Sequence, residues 1–278
     1  GIDFLYDEIS NKLFKAKKEV LKMKNGNLKK FPFLIHEYPS LSTGKLAKIK
    51  TYLKKRFNTK PNLRIFLNEN VKNGFNFDDD IDFIYRDMGI LKLFFEQKET
   101  KKEYDFVYIG EINFDREIDR LLKIFTEPKM KDFTILLIGK PNSKIYKKFN
   151  KYKNIHFTGA VNYSIVPLLA SKAVYGINWR PNKYPHNLQT STKFLEYCAL
   201  DLKIISLHND YSNEFAYKNG IKFYNINEKI DNFDIDKIKN FEYNSFFDKI
   251  KEFEWLNYLN KIDLKGQLLK ALKKNVRN

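Results

Sequence analysis

The sequence predicts an α/β protein built on parallel β-sheets. Short apolar runs alternate with amphipathic, Lys-rich stretches along the 278 residues, which is the pattern of successive β-α-β units. Three apolar runs end in glycine, at Gly110, Gly139 and Gly159. Each glycine alone is explained by a tight turn. Three in succession favour a ligand crevice at the carboxyl ends of parallel strands, where glycine lets a ligand approach the backbone.

Composition and charge limit the class of protein. Hydrophobic residues make up 43% and aromatic residues 16%, which excludes a disordered chain. Lys and Arg number 51 against 34 Asp and Glu, a formal net charge of +17 that attracts polyanions. No zinc-finger, helix-turn-helix or RRM pattern accompanies this charge, so we expect no specific nucleic acid partner and favour an anionic membrane face. The alternative is that the lysines are only the solvated faces of helices.

The expected location is the cytoplasm, with peripheral contact at the cytoplasmic face of the inner membrane as one option. No apolar run approaches the roughly 18 to 20 residues needed to span a bilayer. The first ten residues, GIDFLYDEIS, lack the basic start and apolar stretch of a signal peptide. The single cysteine, Cys198, excludes an intrachain disulfide and a multi-cysteine zinc site.

The chain is predicted to have three parts. The first part is residues 1–100, the second is residues 101–230, and the third is a C-terminal helical segment, residues 231–278. The charged segment 98–103 marks the boundary between the first two. In the first part we expect helices over Asp7–Met23 and Thr43–Arg56 and strands over Phe31–Tyr38, Leu63–Asn68 and Asp82–Gly89. In the second we expect strands over Asp105–Gly110, Phe133–Gly139, Asn154–Gly159, Val174–Trp179, Leu202–Leu207 and Ile221–Ile226, and helices over Arg116–Phe125, Tyr163–Ser171 and Thr190–Leu200.

The segment from Asn178 to Leu207 holds most of the candidate chemistry. A polar loop leads into a helix whose first turn contains Thr190, Ser191 and Thr192, which are good N-cap residue types. The unpaired N–H groups and the positive dipole end of such a helix suit a phosphate group. Lys193 adds a full positive charge, and Glu196 shares its face at a spacing suited to ribose hydroxyls. The alternative is a capped helix with an ordinary surface Lys–Glu pair.

Four motifs in order resemble the donor domain of GT-B glycosyltransferases, above all family-4-like bacterial enzymes that build surface polysaccharides. They are YIGEINFDREIDRLLKIF, TILLIGK, NIHFTGAV and TSTKFLEYCALDLKIIS. The resemblance covers residues 104–226 well, 31–89 loosely and the first thirty hardly at all. It implies a GT-B fold in which 101–230 is a Rossmann-like, parallel-sheet donor-binding domain and 1–100 is a partial second Rossmann-like domain on the acceptor side. The first part is shorter than a full domain of that kind. We expect either a reduced acceptor-side domain or a truncated chain.

The resemblance also implies roles for individual residues. Glu196 would bind the ribose of a nucleotide sugar, and the helix start at 190–193 would face its diphosphate. The other implied donor-binding residues are Gly110, Arg116, Gly139, Lys140, Arg180, Asn187 and Gln189, with His186 in the same loop. His36, at the end of an apolar strand, and its neighbour Glu37 are the candidate catalytic residues, with a structural role as the alternative for each.

The sequence departs from the family pattern in one respect. Retaining members carry a second Glu that would fall at Leu188, where Gln189 or Asn187 could substitute as a neutral sugar-binding group. The resemblance favours retention of anomeric configuration, and the missing Glu counts against it, so inversion stays open. No Asp-x-Asp metal signature stands at a strand end, and Asp78–Asp80 is interpreted as a solvated turn. We expect a metal-independent enzyme without a cofactor, whose donor is UDP- or GDP-linked.

The expected function is transfer of a sugar from a nucleotide-diphosphate sugar to a saccharide or lipid-linked acceptor. The expected setting is synthesis of a bacterial surface polysaccharide such as capsule or lipopolysaccharide. One alternative is a truncated or non-catalytic nucleotide-sugar-binding module. A less favoured one is a polyanion-binding α/β protein. A Rossmann dehydrogenase is disfavoured, because no G-x-G-x-x-G follows a predicted strand.

Overall fold

The computed structural model describes residues 33–42, 46–97 and 101–277. Within these ranges the chain forms two compact units. The first contains the described residues up to Met88 together with those from Trp255 onward, and the second spans Gly89–Glu254. The predicted helix Asp7–Met23 lies outside the described residues. None of the described helices combines the length and apolar composition needed to cross a bilayer.

Strands and helices alternate along the described chain. The strands are β1 (Ile35–Tyr38), β2 (Leu63–Phe66), β3 (Phe83–Tyr85), β4 (Tyr104–Ile109), β5 (Ile135–Ile138), β6 (Ile155–Gly159), β7 (Ala173–Asn178), β8 (Lys203–Leu207) and β9 (Tyr224–Ile226). The helices are α1 (Ala47–Phe57), α2 (Glu69–Phe75), α3 (Ile118–Ile124), α4 (Ser143–Phe149), α5 (Val166–Ala170), α6 (Thr192–Ala199), α7 (Asp210–Asn219), α8 (Ile235–Asn240), α9 (Phe247–Ile250), α10 (Trp255–Lys261) and α11 (Leu264–Arg277).

Both sheets are parallel, as predicted. The first unit has the strand order β1-β2-β3, and the second has the order β6-β5-β4-β7-β8-β9. The second order is that of a Rossmann-like sheet, in which the winding direction reverses between β4 and β7. All four residues of β5, Ile135–Ile138, are buried, which is typical of a parallel strand covered on both faces. The α/β fold class is confirmed, and the reversal between β4 and β7 marks where a ligand is expected.

The two units divide the chain differently from the predicted parts. The boundary lies between Met88 and Gly89, not at 98–103, and the C-terminal segment is shared between the units. The residues up to Glu254 belong to the second unit, whereas α11 buries Leu264 and Leu268 against the core of the first sheet. A charged, aperiodic stretch identifies a surface segment, but it does not show which sheet a later amphipathic helix covers.

Three helices, α2, α4 and α7, were not predicted. Each follows an asparagine that caps it. Asn68 accepts the Val71 N–H at 2.9 Å, Asn142 accepts the Lys144 N–H at 3.0 Å, and Asn209 accepts the Ser212 N–H at 3.2 Å. Asparagine is among the preferred N-cap residues, so this signal was present in the sequence. It was obscured because all three helices are short and rich in polar residues.

Gly139 is required by a close approach between two turns at the carboxyl edge of the second sheet. Its φ is +150°, and a Cβ atom there would lie 2.1 Å from the carbonyl oxygen of Gly110. Gly159, at the next strand end, has φ of +72° with no neighbouring described atom within 4 Å of a Cβ. Backbone conformation alone explains the glycine at Gly159, as the tight-turn alternative states, whereas Gly139 also needs space for the Gly110 turn.

These two glycines provide a matched test of that packing. Gly139→Ala should lower the free energy of unfolding by about 3 kcal/mol or more, because strain adds to a clash with fixed backbone. Gly159→Ala should cost about 1 to 2 kcal/mol, the strain alone. Urea denaturation of both variants measures the difference, and equal losses would contradict the close approach at Gly139.

Candidate functional site

A tyrosine side chain connects the two strands that separate at the sheet reversal. Pairing between β4 and β7 ends at Val107 and Gly176, two residues before either strand ends. Beyond that point the Tyr197 hydroxyl accepts the Ile109 N–H at 3.0 Å and lies 3.3 Å from the Ile177 carbonyl oxygen. A Cβ at position 176 would lie 2.5 Å from Tyr197 Cγ, so only glycine leaves room for this ring. Tyr197 thus fixes α6 across the reversal.

The start of α6 differs from the prediction in its capping. Ser191 occupies the N-cap position, but no side chain caps the helix. The Ser191 hydroxyl donates to Asn178 Oδ1 at 2.5 Å, and Asn178 Nδ2 donates to Ser206 Oγ at 2.9 Å. The N-cap is thus one of the predicted residue types, but its hydroxyl binds Asn178 instead of a backbone N–H of the helix. The network holds the helix start against β7 and β8. The Phe194 and Leu195 N–H groups donate to the Ser191 carbonyl oxygen, so the N–H groups of Thr192 and Lys193 are the ones that the first turn leaves for a ligand.

Lys193 extends over the end of β4. A Cβ at Gly110 would lie 2.4 Å from Lys193 Cε and 2.9 Å from its Nζ, so Gly110 makes room for the ammonium group. Burial lowers the pKa of Lys193, and repulsion from Arg116 lowers it further. The predicted association of Gly110 with the crevice therefore has a specific cause: its missing side chain admits this cation.

Two arginines and a histidine join Lys193. Arg116 Nη1 lies 3.3 Å from Nδ1 of His186. Burial lowers the pKa of His186 to about 4, and Arg116 and Arg180 lower it by repulsion, so the imidazole is neutral at pH 7. Burial, with repulsion from Arg116, lowers the pKa of Arg180 to about 10. Several cations close together at a helix N-terminus are an arrangement that favours the binding of an anion.

The loop between β7 and α6 contains polar atoms without partners. Arg180 Nη1 donates to the Thr190 carbonyl at 2.8 Å, and Lys183 fastens the loop to Glu117 at 2.7 Å. Within the described part of the chain, three buried side-chain atoms of this loop have no hydrogen-bond partner: Arg180 Nε, Asn187 Oδ1 and Gln189 Nε2. Buried polar groups without partners are costly, so these three atoms are candidate contacts for a polar ligand.

Glu196 lies one turn below Lys193, as predicted, and is only 3% exposed. It accepts a hydrogen bond from the Tyr163 hydroxyl. Burial raises the pKa of Glu196, and the hydrogen bond from Tyr163 and the charge of Lys193 oppose that rise. Sequence reasoning missed Tyr163, because a lone tyrosine 33 residues away gives no local signal. A ribose bound to Glu196 would therefore share the Glu196 carboxylate with the Tyr163 hydroxyl.

The remaining predicted donor-binding residues, Gly139 and Lys140, follow β5 at the same edge of the sheet. Gly139 packs against the Gly110 turn, and Lys140 is exposed. The structure thus brings Arg116, Arg180, His186, Lys193 and Glu196 into one electrostatic cluster, whereas Lys140 stays a prediction.

His36 and Glu37 belong to the first unit. His36 is the second residue of β1 and pairs with Arg64, so its predicted place at the strand end is wrong; Tyr38 ends the strand. Burial lowers the pKa of His36, with a further contribution from Arg64. Glu37 forms an ion pair with Arg86. A cavity of about 390 Å³ is lined by Ile35, His36, Glu37, Tyr38, Asn58 and Thr59.

The acidic turn Asp78–Asp80 is not simply solvated. Asp79 receives two hydrogen bonds from Arg64, one of them 2.9 Å long, and these hold the pKa of Asp79 below its usual range. Lys55 lies 2.7 Å from Asp78. The turn is therefore tied to its neighbours. No cluster of three or more His, Cys, Asp or Glu able to hold a metal ion occurs among the described residues.

Two units built on parallel sheets, one with the Rossmann-like strand order, define the fold as GT-B type. No protein-family model and no curated protein matches the chain in sequence. Solved structures do match. One is AviGT4, a glycosyltransferase involved in avilamycin A biosynthesis, with a TM-score of 0.51 and 10% identity over 75% of this chain. The chain spans 63% of AviGT4.

Two further structures are similar in fold. Anabaena HepE in complex with UDP-glucose has a TM-score of 0.58 and 10% identity over 84% of this chain and 71% of its own. Sucrose-phosphate synthase from Thermosynechococcus elongatus has a TM-score of 0.63 and 12% identity over 94% of this chain and 72% of its own. At such identities the likeness shows the fold, and the predicted GT-B fold is confirmed. Membership of family 4 and a shortened first domain stay predictions.

The anchoring role of Tyr197 can be tested by stability. Tyr197→Phe removes the only hydroxyl shown bound to the Ile109 N–H in the described structure, so the free energy of unfolding should fall by about 1 to 3 kcal/mol. Tyr217→Phe, at an exposed position, is the control and should change stability by less than about 0.5 kcal/mol. Urea denaturation followed by circular dichroism measures both. A Tyr197→Phe variant as stable as the control would contradict the anchoring role.

Proposed function

We propose that this protein is a glycosyltransferase that moves a sugar from a nucleotide-diphosphate sugar to a saccharide or lipid-linked acceptor. The observation that carries the proposal is the cluster of Lys193, Arg116 and Arg180 at the start of α6, where the sheet reverses. A site with several cations and free backbone N–H groups suits a diphosphate better than a single carboxylate. The matched GT-B fold supports the same assignment.

The proposed reaction breaks the bond between the anomeric carbon and the diphosphate oxygen. That carbon bonds to an acceptor hydroxyl oxygen, the hydroxyl loses its proton, and the nucleoside diphosphate leaves with the bonding electron pair. The Lys193 ammonium group and the backbone N–H groups of Thr192 and Lys193 would stabilise the developing negative charge. We propose that this arrangement takes the role of a divalent metal ion, as the sequence predicts.

The donor's other parts would occupy neighbouring groups. Glu196 would accept hydrogen bonds from the ribose hydroxyls, in exchange with Tyr163. The unpartnered Asn187 Oδ1 and Gln189 Nε2 would bind the hydroxyls of the transferred sugar. A UDP- or GDP-linked donor and retention of anomeric configuration are part of the proposal. So is a role in bacterial surface polysaccharide synthesis with peripheral membrane contact. The complex of HepE with UDP-glucose, a protein of similar fold, supports a UDP-linked donor.

A second candidate is a module that binds nucleotide sugar without transferring it. It is favoured by Glu37, which Arg86 holds in an ion pair instead of leaving it available as a general base. The two candidates share the donor site and differ in turnover. Incubation with a UDP-sugar and a lipid-linked acceptor, followed by mass spectrometry of the products, separates them, with loss of transfer in Glu196→Gln as the expected sign of the enzyme.

Nucleotide binding is the most direct prediction. Calorimetric titration with UDP and GDP should show binding of one of them. Lys193→Gln should weaken it about tenfold to a hundredfold, because a charge-assisted hydrogen bond to phosphate is lost. Lys147→Gln, an exposed lysine of α4 in the same unit, is the control and should change affinity about twofold at most.

Three outcomes contradict the proposal in different ways. Failure of folded protein to bind any nucleoside diphosphate or its sugar conjugates removes the donor site. Equal weakening by both lysine variants would show attraction to the overall positive charge instead of a site. Strongly salt-dependent binding of DNA without discrimination among nucleotides would support the polyanion-binding alternative.

The affinity should also depend on pH. Burial and neighbouring cations lower the pKa of Lys193 in the free protein, whereas a bound diphosphate stabilises its charged form and raises that pKa. Binding therefore takes up a proton above the lowered pKa, and affinity should fall as pH rises through the mildly alkaline range. Calorimetry in buffers of different ionisation enthalpy measures the uptake. Lys193→Arg should bind without it, and identical pH profiles for the two proteins would contradict this role of Lys193.

A further inference from the structure

Helix α1 presents an apolar stripe to solvent. Leu46, which precedes the helix, and Ile49, Leu53 and Phe57 are 55%, 54%, 44% and 76% exposed. Their spacing of three, four and four residues places them along one face of the helix. The face that packs on the unit contains only the small buried residues Ala47 and Thr51. The larger apolar side chains of α1 therefore point away from the core.

Cations border this stripe on both sides. At 100° per residue, Lys50 and Lys54 lie along one edge of the stripe, and Arg56 and the exposed Tyr52 lie along the other. These three cations are exposed, and α1 contains no acidic residue. Lys48 and Lys55 lie on the opposite side of the helix, where Lys55 forms an ion pair with Asp78. An exposed apolar stripe with positive charge along both edges is the pattern of a helix that lies in a membrane interface.

Charge decides between the partners that such a face could take. In a symmetric contact with a second copy, the same patch meets itself, so the cations around Lys50 and Lys54 would face those of the partner. An anionic bilayer instead offers phosphate groups to the border and an apolar region to the stripe. Each suitably placed basic residue strengthens such binding by about fivefold.

We propose that α1 docks the protein on an anionic lipid bilayer. Leu46, Ile49, Leu53 and Phe57 enter the boundary between headgroups and acyl chains, and the bordering lysines and arginine contact lipid phosphates. The surface belongs to the first unit and shares no residue with the proposed donor site in the second. It assigns the expected membrane contact to one helix instead of to the total charge of the chain.

The test is co-sedimentation of the protein with vesicles. Vesicles of equal parts phosphatidylcholine and phosphatidylglycerol should bind it, with binding weakened by added salt. Vesicles of phosphatidylcholine alone should bind it much less. Ile49→Gln with Leu53→Gln should lower binding at least about tenfold through loss of apolar contact. Lys50→Gln with Lys54→Gln should lower it about thirtyfold through loss of charge.

Matched double variants in the second unit serve as controls. Leu168→Gln with Tyr217→Gln removes two other exposed apolar side chains, and Lys147→Gln with Lys148→Gln removes two other exposed cations. Neither control should change vesicle binding more than about twofold. Nucleotide binding by the α1 variants should equal that of the unaltered protein, which separates this proposal from the donor site. Equal losses in α1 variants and controls would overturn the assignment to α1.

A thiol probe tests whether the stripe is accessible. Cys198 is buried, so Leu53→Cys provides a single accessible site for an environment-sensitive maleimide dye. The dye should react readily in the folded protein, and its emission should shift to the blue with anionic vesicles. A folded variant that does not react would show that the chain itself or a second copy covers the stripe. A change from dimer to monomer in Ile49→Gln with Leu53→Gln would show that a second copy covers it. Either result would overturn the proposal.

Discussion

The hydroxyl of Tyr197 bridges the gap where β4 and β7 part, and the geometry of the candidate site depends on this contact. It accepts a hydrogen bond from the Ile109 N–H, which β7 no longer reaches, and it thereby ties the middle of α6 to the end of β4. The start of the same helix is held against β7 and β8 by the hydrogen bonds from Ser191 to Asn178 and from Asn178 to Ser206. Fixed at two points, α6 places Lys193 over Gly110. The crevice is thus pre-organised by buried hydrogen bonds of α6.

The electrostatics of the crevice follow from that rigidity. Burial lowers the pKa values of Lys193, Arg180 and His186, and repulsion from Arg116 lowers all three further, so the proximity of these groups costs energy in the absence of an anion. Buried polar atoms of the adjoining loop, such as Gln189 Nε2, also lack partners in the described structure. Both costs are relieved by a ligand that combines negative charge with hydroxyl groups. A nucleotide-diphosphate sugar has both, which is why the fold and the site support the same proposal.

The sequence predicted most of the second unit, because buried parallel strands give continuous apolar runs such as Ile135–Ile138. It also placed Lys193 and Glu196 on one face, since that depends only on helical spacing. It missed Tyr163 and the anchoring role of Tyr197, which depend on contacts across 33 and 88 residues. It named Ser191 among the good N-cap types, and Ser191 is the N-cap, but local pattern did not show that its hydroxyl binds Asn178 on a neighbouring strand. Local pattern finds elements and faces, whereas partners distant in sequence require the tertiary structure.

Hydrogen exchange of backbone amides tests the central claim most directly, because the claim concerns specific N–H groups. Saturating nucleoside diphosphate should slow exchange of the amides at Thr192 and Lys193 and in the loop 180–189, while the amides of β2 and β3 stay unchanged. Protection confined to the first unit, or binding without protection at the start of α6, would contradict the assignment of the donor site to the sheet reversal.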